Sequence, residues 1–172
     1  MTSGEPQRGW KLPRDVESGP RADAIRAALA ADCRPLWPRG SFLAAHVPLT
    51  PALGSTLARL AALGVLTRGL EAAEAALGAE QRGFDALPDE VRGRQGRRVS
   101  RVLVLSDDGA ERFYRSVERL ALAHAPRVLV CRVACTSAEL GALAFGADEI
   151  AKLVSTTHKR ATASILEAMA SS

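Results

Sequence analysis

The hydrophobic pattern is clearest between Arg101 and Val133. Arg101-Val-Leu-Val-Leu-Ser106 is a continuous apolar run that ends in Asp107-Asp108-Gly109. A helix-period segment follows. Phe113, Val117, Leu120 and His124 fall on one stripe, Leu122 lies near its edge, and Glu111, Arg112, Arg115 and Glu118 face elsewhere. A second apolar run, Arg127-Val-Leu-Val-Cys-Arg-Val133, closes the unit. Strand, acidic turn, helix and strand in this order predict one βαβ unit.

The same alternation extends to both sides. Thr50-Pro51 supplies an N-cap and a proline at the first helical position, Leu53, Leu57, Leu60 and Leu63 form a stripe, and Gly64 ends the helix. Val65-Leu-Thr67 reads as a short strand, and Gly69 opens a helix over Leu70–Leu77 that Gly78 closes. Residues 79–98 hold four glycines or prolines and five arginines (Arg82, Arg92, Arg94, Arg97 and Arg98), and read as a mobile loop with a basic end. Past Val133, Thr136-Ser-Ala-Glu139 is a capping-box pattern before a helix that ends at Gly146. Ile150–Ser155 reads as a strand and Thr157–Ala170 as a final helix with Ala161, Ile165, Leu166 and Met169 inward. Helices and strands in regular alternation from Leu53 onward predict a three-layer α/β/α sandwich with a small mixed sheet of about four strands, occupying residues 51–172.

Residues 1–50 lack such a pattern. Residues 1–20 read as a disordered or loosely attached arm, and Pro20–Ala31 as a short helix. Pro35, Pro38, Gly40 and Pro48 leave room for one short strand around Phe42–Val47. The segment is therefore expected to be poorly defined.

Composition narrows the functional classes. The 172 residues are 47% apolar but only 4% aromatic, so the core must rest on Leu, Ala and Val. The net charge of +4 fits an anionic partner without demanding one. Cys33, Cys131 and Cys135 are odd in number and form no C-x-x-C, which indicates small buried hydrophobes rather than a disulfide framework or a zinc site. No apolar stretch is long enough to span a bilayer, and residues 1–19 lack the apolar region of a signal peptide, so a cytoplasmic location without membrane contact is expected.

In this order, several local pieces resemble the kink-turn-binding ribosomal proteins and their bacterial YlxQ-like relatives, over residues 57–170. Leu57–Gly69 is similar to the family's opening helix, turn and short strand ending in glycine, and Glu71–Leu77 to the helix after that glycine. Val102-Leu-Val-Leu-Ser-Asp-Asp108 is similar to its central strand, and Thr136-Ser-Ala-Glu-Leu-Gly141 to its Thr/Ser-x-x-Glu-Leu-Gly turn-helix. Thr157-His158 stands where the family has Thr-Asp. Pro38–Leu43 is similar to a turn of the YlxR-like module, whose Cys-x-x-Cys is missing here. The kink-turn resemblance implies a non-enzymatic, ribosome-associated or structured-RNA-binding protein of translation. Its contacts would lie at Thr67, Arg68, Gly69 and Glu71, with the loop 142–148 opposite, where a helix N-terminus meets phosphate. The family's Gly-x-Asn-Glu pattern and following lysine are replaced by Glu71, Ala72 and Ala75, so its base-specific readout is expected to be absent. Arg92, Arg94, Arg97 and Arg98 would then supply phosphate contacts without sequence reading, and no sequence-specific DNA binding is expected.

Two other readings follow from the residues. One is a protein-interaction module on the same fold that has lost RNA binding. The other is a Mg²⁺ site of the receiver type at Asp107 and Asp108, with Thr156 and Lys159 in loosely fitting places; the simpler role of the acidic pair is to cap and turn into the next helix. His46, His124, His158, Ser106 and Ser137 lack an evident catalytic partner, His124 suits the negative end of its helix, and no phosphate-loop glycine pattern occurs. No cofactor or metal is expected.

Overall fold

The computed structural model describes residues 9–92 and 98–171. Among them one six-stranded sheet has the order β1-β2-β5-β4-β6-β3. The strands are β1 (Cys33–Pro35), β2 (Leu43–Pro48), β3 (Leu66–Arg68), β4 (Arg101–Leu105), β5 (Val128–Ala134) and β6 (Leu153–Thr156). Strands β2, β5 and β4 run parallel, with Ala45 opposite Cys131 and Val104 opposite Cys131; β1, β6 and β3 each pair antiparallel to a neighbour.

Eight helices complete the described fold: α1 (Arg14–Glu17), α2 (Ala22–Ala31), α3 (Pro51–Ala62), α4 (Leu70–Asp85), α5 (Asp89–Arg92), α6 (Glu111–Ala123), α7 (Ser137–Phe145) and α8 (Lys159–Met169). Val102–Leu105 of β4 and Val128–Cys131 of β5 read as unbroken apolar runs because both faces are covered. Val102, Val104, Leu129, Cys131 and Val133 pack with residues of α1, α2, α3, α7 and α8. Leu103, Leu105, Val128 and Val130 pack with Ala73 and Leu77 of α4 and Tyr114, Val117 and Ala121 of α6. This is the three-layer α/β sandwich.

The local signals for caps are met. Thr50 Oγ1 accepts from Leu53 N at 3.2 Å with Pro51 beside it, and Gly64 follows the end of α3 at φ +72°. Thr136 and Glu139 form a reciprocal capping box on α7.

Four expectations are corrected. Part of the N-terminal third is integral: β1 and β2 extend the sheet beyond β5, and Leu12, Val16, Ile25 and Leu29 are in the core. Residues 1–8 lie outside the described residues. The signal was weak because β2 carries Ala44-Ala-His46, poor strand formers, and β1 carries Pro35, which an edge strand tolerates. The sheet consequently has six strands rather than four. The helix after Gly69 does not stop at Gly78. It continues to Asp85, because Glu80 is tied to the sheet by Arg101 Nε (2.9 Å) and Arg127 Nη2 (3.0 Å) and Phe84 lies under the Arg127 guanidinium. Glu118 does not face outward: it is only 7% exposed. Its carboxylate accepts from Trp37 Nε1, Ser41 N (2.7 Å) and Phe42 N (2.7 Å), pinning the turn before β2 to α6.

Candidate nucleic-acid interface

The strand directions place the expected contacts at opposite ends of the molecule. β3 ends at Arg68 beside Val154, and Gly69 N donates to Leu153 O, so α4 begins at the end of the sheet where β4 and β5 finish. β4 and β5 begin at the other end, where Arg98 and the start of α8 also lie. α4 has 16 residues and is about 24 Å long, so its length separates the two groups.

At the first end, Gly69 sits at φ +92°, a conformation that explains the glycine without any ligand. Arg68 Nη1 is bound to Glu149 Oε2 at 2.7 Å, and its guanidinium lies 4.8 Å from the Phe145 ring centroid. The Thr67 hydroxyl is buried without a partner among the described residues, and Glu71 is exposed on the first turn of α4. The expected arginine is thus already paired with Glu149.

The acidic pair at the same end is also engaged. Asp107 Oδ1 accepts from Arg132 Nε at 2.6 Å. Asp108 does not cap α6, whose N-cap is Ala110; it supplements the Thr136 cap of α7 by accepting from the first helical residue, Ser137. Its two oxygens accept from Ser137 N and Ser137 Oγ, each at 3.0 Å. Burial raises the Asp108 pKa, but the hydrogen bonds from Ser137 outweigh it and hold it below the ordinary carboxylate value. Asp108→Ala is expected to lower stability by about 1 kcal/mol, the worth of a helix cap, as read by urea denaturation. Among the described residues no group of three or more His, Cys, Asp or Glu side chains is placed to hold a metal. A cleft of about 480 Å³ near Asp107 is lined by Arg34, Trp37, His46 and Arg132. Its arginines are matched by Asp32 and Asp107, so it carries no excess charge.

The other end differs. A cavity of about 740 Å³ opens across the starts of β4 and β5, between the last turns of α4 and the first turn of α8. Arg14, Arg98, Arg101, Arg127, Lys159 and Arg160 line it, against only Asp15 and Glu80. Carboxylates here are shared two to one: Glu80 binds both Arg101 and Arg127, and nearby Glu17 binds both Arg98 and Arg26. The hydrogen bond from Arg98 leads the effects that hold the Glu17 pKa below its ordinary value. Arg14, Lys159 and Arg160 are exposed and make no ion pair with any described residue. Phe84, Leu87, Val99 and Ala163 supply an apolar wall.

A chain of hydrogen bonds fixes this wall. Val102 N donates to Thr156 Oγ1 (3.0 Å), the hydroxyls of Thr156 and Thr162 are 2.7 Å apart, and Thr162 Oγ1 donates to Ser100 O (2.9 Å). His158 Nδ1 caps α8 by accepting from Ala161 N at 3.2 Å. The entry of β4 and the first turn of α8 are therefore one rigid unit.

Of the arginines singled out in the sequence, Arg98 lines this cavity. Arg92 pairs with Asp89 and does not line it, and Arg94 and Arg97 lie outside the described residues. Arg101 closes the basic stretch 92–101 that stands out in the sequence, but the pattern along the chain missed Arg14, Arg127, Lys159 and Arg160, because strand starts and helix starts far apart in sequence bring them together. His124 is not a cationic helix end: burial, then the Arg127 charge, lowers its pKa. Cys131 and Cys135 are buried; burial raises both thiol pKa values, that of Cys135 to about 11, in keeping with inert core positions. Among the described residues no helix is long and apolar enough to cross a membrane. No family model and no curated protein matches this chain.

Proposed function

We propose that the chain is a non-enzymatic RNA-binding protein of the cytoplasm, associated with structured RNA or the ribosome, and that it holds RNA through the basic cavity at the starts of β4 and β5. The observation that carries this reading is a cavity lined by six cations, of which three, Arg14, Lys159 and Arg160, are exposed and make no ion pair with any described residue. Excess positive charge on a fixed scaffold attracts a polyanion and releases its counterions. RNA is favoured as the polyanion by the resemblance of residues 57–170 to the kink-turn-binding proteins. The binding surface lies not at the start of α4, where Glu149 occupies Arg68, but at the far end of the same helix.

Fluorescence anisotropy with a structured RNA tests the reading. Affinity should fall steeply as salt rises from roughly 50 to 200 mM. Replacing Arg14, Lys159 and Arg160 together by Ala should weaken binding at least about tenfold and lower the salt slope by about one for each phosphate no longer neutralised. Arg68→Ala should change affinity less than the triple variant. No binding at low salt, or an unchanged triple variant, would refute the proposal. Retention of a protein partner at high salt by a chain that ignores RNA would instead establish an interaction module.

A further inference from the structure

We infer that the basic cavity receives a strand end: a terminal phosphomonoester of RNA, with the adjoining nucleoside against the apolar wall. The inference rests on the RNA-binding reading above and names what the cavity recognises.

Three features set a strand end apart from a passing backbone. The first is Ser100, which lines the cavity, is about nine-tenths buried, and has a hydroxyl with no hydrogen-bond partner among the described residues. Buried hydroxyls are ordinarily paired, and a phosphate oxygen would pair this one. The hydroxyl oxygen has almost no accessible surface, so a partner must press into the cavity wall to pair it; a terminal group can do so, whereas a phosphodiester must continue past it in both directions.

The second feature is the start of α8. Amides of the first helical residues have no intrahelical acceptor, and only the Ala161 amide is capped by His158. Lys159 and Arg160 occupy this turn, which contains no acidic residue. Cations at a helix N-terminus oppose the helix dipole. A dianion between them reverses that penalty, and a monoester carries nearly two charges and three terminal oxygens where a diester carries one charge and two.

The third is the wall. Phe84 and Leu87 from the end of α4 and its following turn face the same cavity as the cations. Free phosphate has no use for that surface, while a base and ribose do.

The test uses the full chain and one short single-stranded RNA in three forms: 5′-phosphorylated, 3′-phosphorylated, and with hydroxyls at both ends. Calorimetric titration should show that phosphate at one end tightens binding about tenfold or more over the hydroxyl form. Ser100→Ala should bring that ratio close to one without lowering the thermal midpoint, since the hydroxyl it removes has no partner among the described residues. Equal affinity for the three RNAs, or a Ser100→Ala chain that keeps the preference, would overturn the inference. Inorganic phosphate competing as well as the phosphorylated RNA at equal concentration would also overturn it. If the hydroxyl-ended RNA binds in a salt-dependent way while the ends make no difference, the RNA-binding reading stands and the strand-end inference falls. If no RNA binds at low salt, both fall.

Discussion

Gly141→Ala should destabilise the protein by about 3 kcal/mol, although alanine is the better helix former. Gly141 lies inside α7 and is buried. A Cβ there would stand 2.2 Å from Glu149 O and 2.6 Å from Ile150 Cα. These are backbone atoms, so no rotamer change relieves the overlap. The segment cannot simply retreat, because Ala151 N donates to Ser137 O and Glu149 is tied to Arg68. α7 must move off the segment that feeds β6, which loosens its packing on α3 as well. The helix-propensity gain of about 1 kcal/mol offsets only part of this. Gly83→Ala is the matched control. Gly83 is exposed within α4, a Cβ there meets nothing within 4 Å, and the same substitution should stabilise by up to about 1 kcal/mol. Urea denaturation of the two variants should move the midpoint in opposite directions. A neutral Gly141→Ala would show that the close approach is not maintained in solution.

The Gly141 case also shows which parts of this molecule can be read along a line. Thr136-Ser-Ala-Glu-Leu-Gly141 announces a capped helix, and its capping box forms as expected, since both partners lie within four residues. The βαβ unit was legible because Val102–Leu105 and Val128–Cys131 are buried on both faces and so carry no polar residue. Elements whose stability comes from distant partners were not. Helix α4 runs through Gly78 and Gly83 because Arg101 and Arg127 hold Glu80, a tie invisible to local propensity. Strand β2 is assembled from small residues because it is backed by α2 on one side and Phe42 and Leu36 on the other. The candidate site follows the same rule. A run of arginines near residue 98 stands out in the sequence, but the cavity that Arg98 lines is made by residues from positions 13 to 163 that only the topology gathers. Arg68 stands out for its place at a helix start, and its partner Glu149 comes from a segment far along the chain.

Glu118→Ala should cost about 3 kcal/mol at neutral pH, close to the Gly141 effect but from a different cause. The carboxylate lies under the turn from Trp37 to Phe42 and accepts hydrogen bonds from one indole N–H, two backbone N–H groups and the Ser41 hydroxyl. Phe42 is buried, so its amide could not turn to bulk water once the carboxylate is gone. The sign of the pH dependence separates this from a packing loss. Burial pushes the Glu118 pKa up, but the bonds from Trp37, Phe42 and Ser41 outweigh it and leave the folded pKa below the ordinary value. The folded state therefore binds the Glu118 proton less readily than the unfolded chain does. Its stabilisation is complete above the unfolded glutamate pKa, about 4.3, and is lost as pH falls through the lower folded pKa. Glu118→Gln keeps the shape and one acceptor oxygen but has no charge to lose. The stability difference between wild type and Glu118→Gln should be constant from about pH 7 to 5 and shrink below about pH 4. Glu17 and Asp108, whose pKa values are also lowered, remain in both proteins and cancel from that difference. A gap that stays constant down to about pH 3 in urea denaturation would mean that the charge on Glu118 contributes nothing, and that the turn before β2 is held by packing alone.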